Sequence, residues 1–331
     1  MSYETERRFA VEAVERAAYL CAAVQREWVA GSALAKDDES PVTVADFGAQ
    51  AVVSHTLAAA LPDVPLVAEE EAEALRRPEN AALAEKVVEA VQQSLPSLES
   101  PEILDLIDRG TYGGGRTGRH WTLDPIDGTK GFLRQDQYAV ALALIEDGQL
   151  ALGALGCPNL PLNAADPDGE RGCLFVAVKG EGSFMRPLGG GEERRIRVAD
   201  VRKVAEARLC ESVEAAHSSR SDTARVAEIL GITAPPFRID SQCKYAAVAR
   251  GDASIYLRLP TRKDYEEKIW DHAAGSMVVS EAGGRITDAD GKDLDFSLGR
   301  TLRDNTGVVV TNGHLHDEVV SAVKQALSRS G

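Results

Sequence analysis

The chain has 331 residues, with 37 Lys and Arg against 52 Asp and Glu, and a formal net charge of −15. That length supports two domains or one large core, and the acidic balance excludes a protein that grips many nucleic-acid phosphates, which needs a basic face. No apolar run reaches the roughly 18 residues of a membrane span, and five cysteines without C-x-x-C spacing speak against a zinc site and for a reducing compartment.

The opening MSYETERRF is charged and lacks an apolar h-region, so it does not read as a secretory signal, and its acids argue against a transit peptide. With no such signal, a cytoplasmic location is the default expectation. From Thr5 to Trp28, Val11, Val14, Ala18 and Cys21 recur at three- and four-residue steps and predict an amphipathic helix. A polar loop, Lys36 to Ser40, follows. Thr43 and Val44 then suit an extended segment, with Asp46 at the start of a helix that includes Val53 and Leu57. Alone, Asp46 reads more readily as a helix cap than as a base.

Leu66 to Ala68 predicts a short strand ending in Glu69, Glu70 and Glu71. Such acids by themselves read as a solvated loop. Helices are predicted from Glu79 to Leu95 and from Pro101 to Arg109, then a flexible loop, GTYGGGRTG (110–118), which does not open a helix after a strand and is no dinucleotide fingerprint.

The stretch HWTLDPIDGTKGFLR (120–134) is the most informative. An apolar strand ends at Pro125, which has no N–H to donate. Asp124 and Asp127 follow one another so closely that, half buried, they would repel unless a cation lay between them. Donors that are oxygen alone suit Mg²⁺ or Mn²⁺ rather than zinc. Gly128 and Thr129 turn into a helix start whose N–H groups could face an anion. The plain alternative is a solvated Asp-Pro/Asp-Gly turn. A cation beside an anion cradle is what phosphate-ester hydrolysis requires.

Strands are predicted at 138–145 and 149–155, joined by Asp147-Gly148 as a hairpin turn, and at 173–178, 182–185 and 195–198. This half reads as an antiparallel sheet with helices on one face. From about residue 200, strand and helix alternate: strands at 208–210, 237–239, 254–257 and 308–310, helices at 222–230, 244–249, 271–282 and 315–327. That alternation predicts a smaller, mostly parallel α/β layer. The expected division is 1–199, an α+β metal-binding catalytic domain, and 200–331, an α/β nucleotide-binding domain. Asp271, in KIWDHAAG, is as good a helix cap as a ligand when taken alone, and Lys244 or Arg258 alone would be surface cations. Cys157 and Cys173 flank a connection between two predicted strands. Two buried free thiols are the favoured state there, and a redox disulfide is the alternative.

Together, the acid after the first helix, E-E at a strand end, D-P-I-D-G-T and the later W-D resemble the lithium-sensitive, Mg²⁺-dependent phosphomonoesterases that include inositol monophosphatase and fructose-1,6-bisphosphatase. Longer strings, SPVTVADFGAQAVV, WTLDPIDGTKGFLRQDQYAVALALI, GCPNLP, DSQCKYAAVARGDASIYLRLP and EKIWDHAAG, resemble the 3′(2′),5′-bisphosphate nucleotidase branch over nearly the whole chain. The resemblance implies a layered inositol-monophosphatase-like fold and hydrolysis of adenosine 3′(2′),5′-bisphosphate to AMP and phosphate by metal-activated water, with 3′-phosphoadenylyl sulfate a substrate of some members. It implies two to three Mg²⁺ ions. Glu69, Asp124 and the carbonyl of Ile126 would hold one ion, Asp124, Asp127 and Asp271 a second, and a weaker third would sit near Glu69. Asp46 with Thr129 would activate the water, and Glu70 would support the ligands from behind. Gly128, Thr129, Ser241, Lys244, Arg258 and Asp271 would contact substrate, and Glu214, His217 and Ser218 would face the nucleoside. No protein partner is implied, and millimolar Li⁺ would inhibit. The alternatives are an inositol polyphosphate 1-phosphatase and a non-catalytic nucleotide sensor.

Overall fold

A computed structural model describes residues 3–31, 40–213, 220–260, 262 and 265–328. Two long helices open the chain, α1 (Glu4–Gly31) and α2 (Ser40–Ala60). Small buried side chains on α1 (Ala10, Ala13, Ala17, Ala18) and on α2 (Ala45, Ala49) recur at helical spacing and let the two backbones approach closely. The expected extended segment at Thr43 and Val44 is instead helix. Pro41 sits in the first turn, where its missing N–H is harmless, and burial of Val42, Val44 and Phe47 outweighs the weak helix propensity of β-branched residues. Asp46 is therefore inside α2, not at its cap.

A seven-stranded sheet follows in sequential order. It begins with β1 (Leu66–Ala68), after which α3 (Ala81–Ser94) and α4 (Ser100–Asp108) lead to β2 (Arg119–Asp127), parallel to β1. The short α5 (Thr129–Arg134) separates β2 from β3 (Ala139–Glu146). Then come β4 (Gln149–Pro161), β5 (Arg171–Val178), β6 (Gly182–Pro187) and β7 (Arg194–Ile196), each antiparallel to its predecessor, as β3 is to β2. The turn at Asp147 and Gly148 has φ of 50° and 75°, the positive values a two-residue hairpin of this hand requires. Cys157 and Cys173 face each other in the β4–β5 register as buried free thiols.

β2 does not stop at Pro125. Asp124 pairs with Ala141 and Asp127 with Ala139, so the strand carries an extra residue at Pro125–Ile126 and continues. A proline is tolerated there because a bulge needs no donor from it.

The second half contributes β8 (Leu209–Glu211), α6 (Arg220–Leu230), β9 (Phe237–Arg238), α7 (Cys243–Ala249), β10 (Ile255–Arg258), α8 (Ala273–Glu281), β11 (Arg285–Thr287), β12 (Val308–Thr311) and α9 (His316–Ser328). Its sheet has the order β11-β12-β10-β8-β9, with β8 parallel to both β9 and β10, and β12 antiparallel to both its neighbours. The layer is mixed: β11, absent from the expected elements, adds an antiparallel edge.

Helices cover both faces of the first sheet, not one. Trp121, Leu123, Val140, Leu142 and Leu144 pack with α1 and α2, whereas Ala141, Ala143 and Ile145 share a core with Tyr245 of α7 and Met277 of α8. The unbroken run AVALALI in β3 is what burial on two faces demands. That second core takes side chains from both halves of the chain.

The α7–α8 contact is tight at Gly275, where a Cβ would meet Tyr245 ring and Cβ atoms at 2.4 to 2.7 Å. Gly275→Ala gains about 1 kcal/mol of helix propensity, but overpacking costs about 1–3 kcal/mol. With the ring locked in the core, the clash dominates. A contact at 2.4 Å puts the overpacking at the upper end of that range, so urea unfolding is expected to show a net loss of about 2 kcal/mol, and an unchanged or raised midpoint would refute this packing.

Candidate active site

Separate elements deliver the predicted residues to one cleft of about 350 Å³. Glu69 comes from the end of β1, and Asp124, Ile126 and Asp127 from the bulged end of β2. Gly128 and Thr129 open α5, Lys244 lies on α7, Arg258 ends β10, and Asp271 lies in the turn before α8. Ser241 precedes α7 and lines the same wall. Asp46 does not line the cleft. It is buried in α2, close enough to Glu69, Glu70 and Asp124 for their charges to act on one another. Glu214, His217 and Ser218 lie outside the described residues.

Two backbone positions make the convergence possible. Gly128 has φ of 97°, and a Cβ there would lie 2.8 Å from the Cβ of Ser241. Only glycine suits both the conformation and the approach. Ser241 itself adopts φ of 63°, uncommon for a residue with a Cβ. Its hydroxyl donates to the Asp240 carbonyl at 2.6 Å and accepts from the Cys243 N–H at 3.2 Å, which offsets part of the strain. Asp240 is fixed in turn by the Ser212 hydroxyl at 2.7 Å, the Val213 N–H at 3.0 Å and the Arg134 guanidinium.

The acids raise one another's affinity for protons. Burial, followed by the charges of Asp271, Glu70 and Asp127, pushes Glu69 up to about 8, and Arg300 opposes the shift. Burial and then Asp271 push Asp127 up to about 6, against Lys244, Arg258 and the Gln242 N–H. Asp124 is raised well above the carboxylate range by burial and then by Glu69, Asp127, Asp271 and Asp46. Burial and the charges of Glu70 and Glu69 do the same to Asp46. The Oδ1 of Asp124 is buried with no hydrogen-bond partner. Buried polar groups are ordinarily paired. An orphaned carboxylate oxygen among mutually repelling carboxylates fits a divalent cation, and an all-oxygen donor set fits a hard one.

Lys244 and Arg258 line the same cleft. Lys244 is buried, its ammonium 5.2 Å from the ring centre of Tyr256, and burial lowers its proton affinity. Arg258 lies 3.0 Å from Asp271 and 2.8 Å from Glu267. Glu267 also lies 3.0 Å from His272 Nε2, whose Nδ1 is 2.7 Å from the Tyr245 hydroxyl. Glu267, Asp271 and His272 cluster closely enough to suggest ligands for one ion. However, the Arg258 and His272 contacts already occupy Glu267, so the trio works as an anchor for Arg258.

Sequence reading missed Glu267, Gln242 and Arg300. Gln242 donates its backbone N–H to Asp127, its side-chain amide to the Trp270 carbonyl at 2.9 Å, and accepts the Gly275 N–H at 2.9 Å. It thus joins the turn around Asp271 to Asp127. The strings DSQCK and EKIWD contain Gln242 and Glu267, but neither residue has a spacing that marks it.

A family model, the inositol monophosphatase family, matches residues 3–328. The chain belongs to this family. A relative from Emericella nidulans named 3′(2′),5′-bisphosphate nucleotidase is 49% identical, covering 99% of this chain and 99% of its own. One of the same name from Schizosaccharomyces pombe is 44% identical over 99% of this chain and 98% of its own. Among solved structures, an inositol monophosphatase from Zymomonas mobilis superposes with a TM-score of 0.64 at 20% identity, covering 98% of this chain and 99% of that one. The expected layered fold of the inositol monophosphatase family is the fold observed.

The raised acids set a pH dependence for this family member. Glu69 has an ordinary value of 4.5 and about 8 in the fold, so its contribution to stability is complete below the first value and lost as pH rises through the second. Asp127, raised from 3.8 to about 6, acts with the same sign. Metal-free protein is therefore expected to melt at a lower temperature at about pH 8 than at about pH 5, and a divalent cation to raise the melting temperature more at the higher pH. Scanning fluorimetry with chelator and with added cation checks both, and a metal-free melting temperature that climbs over that range contradicts the cluster.

Proposed function

We propose that this chain is an Mg²⁺-dependent phosphomonoesterase that converts adenosine 3′(2′),5′-bisphosphate to AMP and phosphate. The observation that carries this reading is the convergence, in one cleft, of acids around the unpaired Asp124 oxygen with Lys244 and Arg258. The names of full-length relatives at 44% and 49% identity support it.

Glu69, Asp124 and the Ile126 carbonyl would hold one ion, Asp124, Asp127 and Asp271 a second, and a weaker third would sit near Glu69. When bound, these ions supply Lewis-acid polarisation of the phosphoryl oxygens and make water more acidic. The chain's own residues do the rest. Thr129 would orient the attacking water from the cleft wall, and Asp46, behind that wall, would take its proton once bound cations offset the Glu69 and Glu70 charges that raise its proton affinity. The water oxygen would bond to phosphorus as the ester bond to the ribose oxygen breaks, and the ribose oxygen would take up a proton from solvent water. Gly128 and Thr129 turn backbone N–H groups toward the transferred phosphate. Ser241, Lys244 and Arg258 hold the ribose and the phosphate that stays, while Glu214, His217 and Ser218 face the nucleoside. Residues 1–199 thus carry the metal chemistry except for the ligand Asp271, and residues 200–331 the nucleotide. The partner is a small molecule. No helix among the described residues is long and apolar enough to cross a membrane. Lithium is an expected inhibitor.

The deciding experiment is Mg²⁺-dependent phosphate release from adenosine 3′,5′-bisphosphate and from inositol 1,4-bisphosphate. Preference for the inositol substrate would assign the chain to the polyphosphate 1-phosphatases, and binding without turnover would make it a nucleotide sensor. Asp124→Asn removes charge shared by two ions and is expected to lower kcat by at least roughly 10²-fold, the scale of deleting one electrostatic stabiliser. Near-normal kcat with Mg²⁺ rules out its role.

Lys244→Met keeps the buried stem and deletes the charge. A charge-assisted hydrogen bond is worth roughly 1.5–3 kcal/mol, so KM for adenosine 3′,5′-bisphosphate is expected to rise roughly 10- to 100-fold. KM for adenosine 3′-monophosphate, which lacks the retained phosphate, is expected to change little. Equal losses on both substrates would place Lys244 elsewhere in the reaction.

A further inference from the structure

We propose that Arg300 is a positioning residue that fixes the separation between Glu69 and Asp271, so that acids from opposite halves of the chain can share divalent cations. This inference rests on the metal roles proposed for those two acids.

The side chain of Arg300 reaches the residue before each of them. Its Nη2 donates to the Ala68 carbonyl at 2.7 Å, one position before Glu69 and 232 positions from Arg300 in the chain. Its Nη1 donates to the carbonyls of Gly110 at 3.2 Å and Tyr112 at 3.3 Å. Its guanidinium carbon stands 4.8 Å from the ring centre of Trp270, one position before Asp271. The backbone around Arg300 is also tied to that turn. The Ile269 N–H donates to the Arg300 carbonyl at 3.1 Å, the Leu302 N–H donates to the Glu267 carbonyl at 2.8 Å, and Lys268 forms a β-bridge with Thr301.

The need for such a tie follows from the sheet. β1 is three residues long and stands at the sheet edge, paired along its length only with β2. Its outer side is covered by the 110–112 loop, through Ala68 N–H to Gly110 carbonyl at 2.8 Å and Tyr112 N–H to Leu66 carbonyl at 3.1 Å. A short edge strand held by a loop is a poor mount for a carboxylate that must stay near others of like charge. Arg300 adds three hydrogen bonds to that edge from the segment that also carries the Asp271 turn.

Arginine suits the task where lysine would not. A planar fork reaches several carbonyls at once while its face lies on an indole, and a lysine ammonium can do only one of these. Arg300 does not line the cleft, so it acts through the backbone of Glu69 and Asp271. Its charge opposes the repulsion felt by Glu69, a secondary benefit of the same placement.

The test uses full-length Arg300→Gln and Arg300→Lys with Mn²⁺ as probe, its binding measured by calorimetry without substrate. Melting temperature and circular dichroism of the metal-free proteins are recorded alongside. Removing a partner that orients metal ligands typically weakens affinity about 10- to 100-fold. That loss is expected for both variants, because lysine restores charge but not the fork. If Arg300→Gln does not fold, Arg300→Lys carries the test at unchanged net charge. A folded variant that binds Mn²⁺ as tightly as wild type, even with a lowered melting temperature, would make Arg300 a stability residue only and overturn the proposal. Full recovery in Arg300→Lys alone would overturn it in favour of a charge effect. Wild-type protein that binds no Mn²⁺ would overturn the metal reading itself, and this inference with it.

Discussion

Mutual repulsion among crowded carboxylates, with Asp46 and Asp124 buried and Glu69 at the open side, is the constraint on which the site depends. Asp46, Glu69, Asp124 and Asp127 are drawn from three elements, and each is raised by burial and by its neighbours. A fold does not gain stability by assembling such a group. The surrounding structure must hold it open against repulsion, and most of the unusual local features lie where that holding occurs. They include the extra residue at Pro125–Ile126, the positive φ at Gly128 and Ser241, and the Gln242 clamp between Asp127 and the turn around Asp271. Strain concentrated around a cluster that must take up protons or a cation is the pattern of a binding site, since a purely structural role would be served better by apolar side chains.

The core explains why those features do not collapse. The first sheet is packed on both faces, by α1 and α2 on one side and by α7 and α8 on the other. Lys244 and the Asp271 turn are therefore mounted on elements that share a core with β3, the strand paired with the one that carries Asp124 and Asp127. A displacement of α8 would have to disturb Tyr245 against Gly275, a contact with no spare room. The cleft sits where these layers meet.

Much of this was legible in the sequence. The strands and hairpin from 138 to 198 are written in apolar runs and an Asp-Gly turn, and the acids were identifiable because like charges at strand ends require a reason. What escaped has specific causes. Thr43 and Val44 look extended by propensity, yet burial against neighbouring helices made them helical. Pro125 looks like a terminator because the bulge that tolerates it depends on the partner strand. The second helical face of the sheet was hidden because AVALALI does not say what covers it. Glu267 and Arg300 were invisible because their work is done through contacts between segments distant in sequence. Resemblance raised Lys244 and Arg258 above surface cations, and geometry shows Lys244 buried and Arg258 doubly anchored.

The two walls of the cleft also bear on how an acidic protein accommodates an acidic ligand. With a net charge of −15, the field around the chain repels anions at long range, though salt screens it beyond about 10 Å. Inside the cleft the sign is split. The side built on β1 and β2 is negative until cations bind, whereas on the side built on α7 and β10 Lys244 and Arg258 stand against Asp271 and Glu267, which sustain the Arg258 charge against burial. A ligand with two phosphates a ribose apart would place one on Lys244 and Arg258 and bring the other to the ion-bearing acids. The asymmetry of the walls therefore favours a bisphosphate in a single orientation, and it makes cation binding the step that turns a repulsive wall into a receptive one.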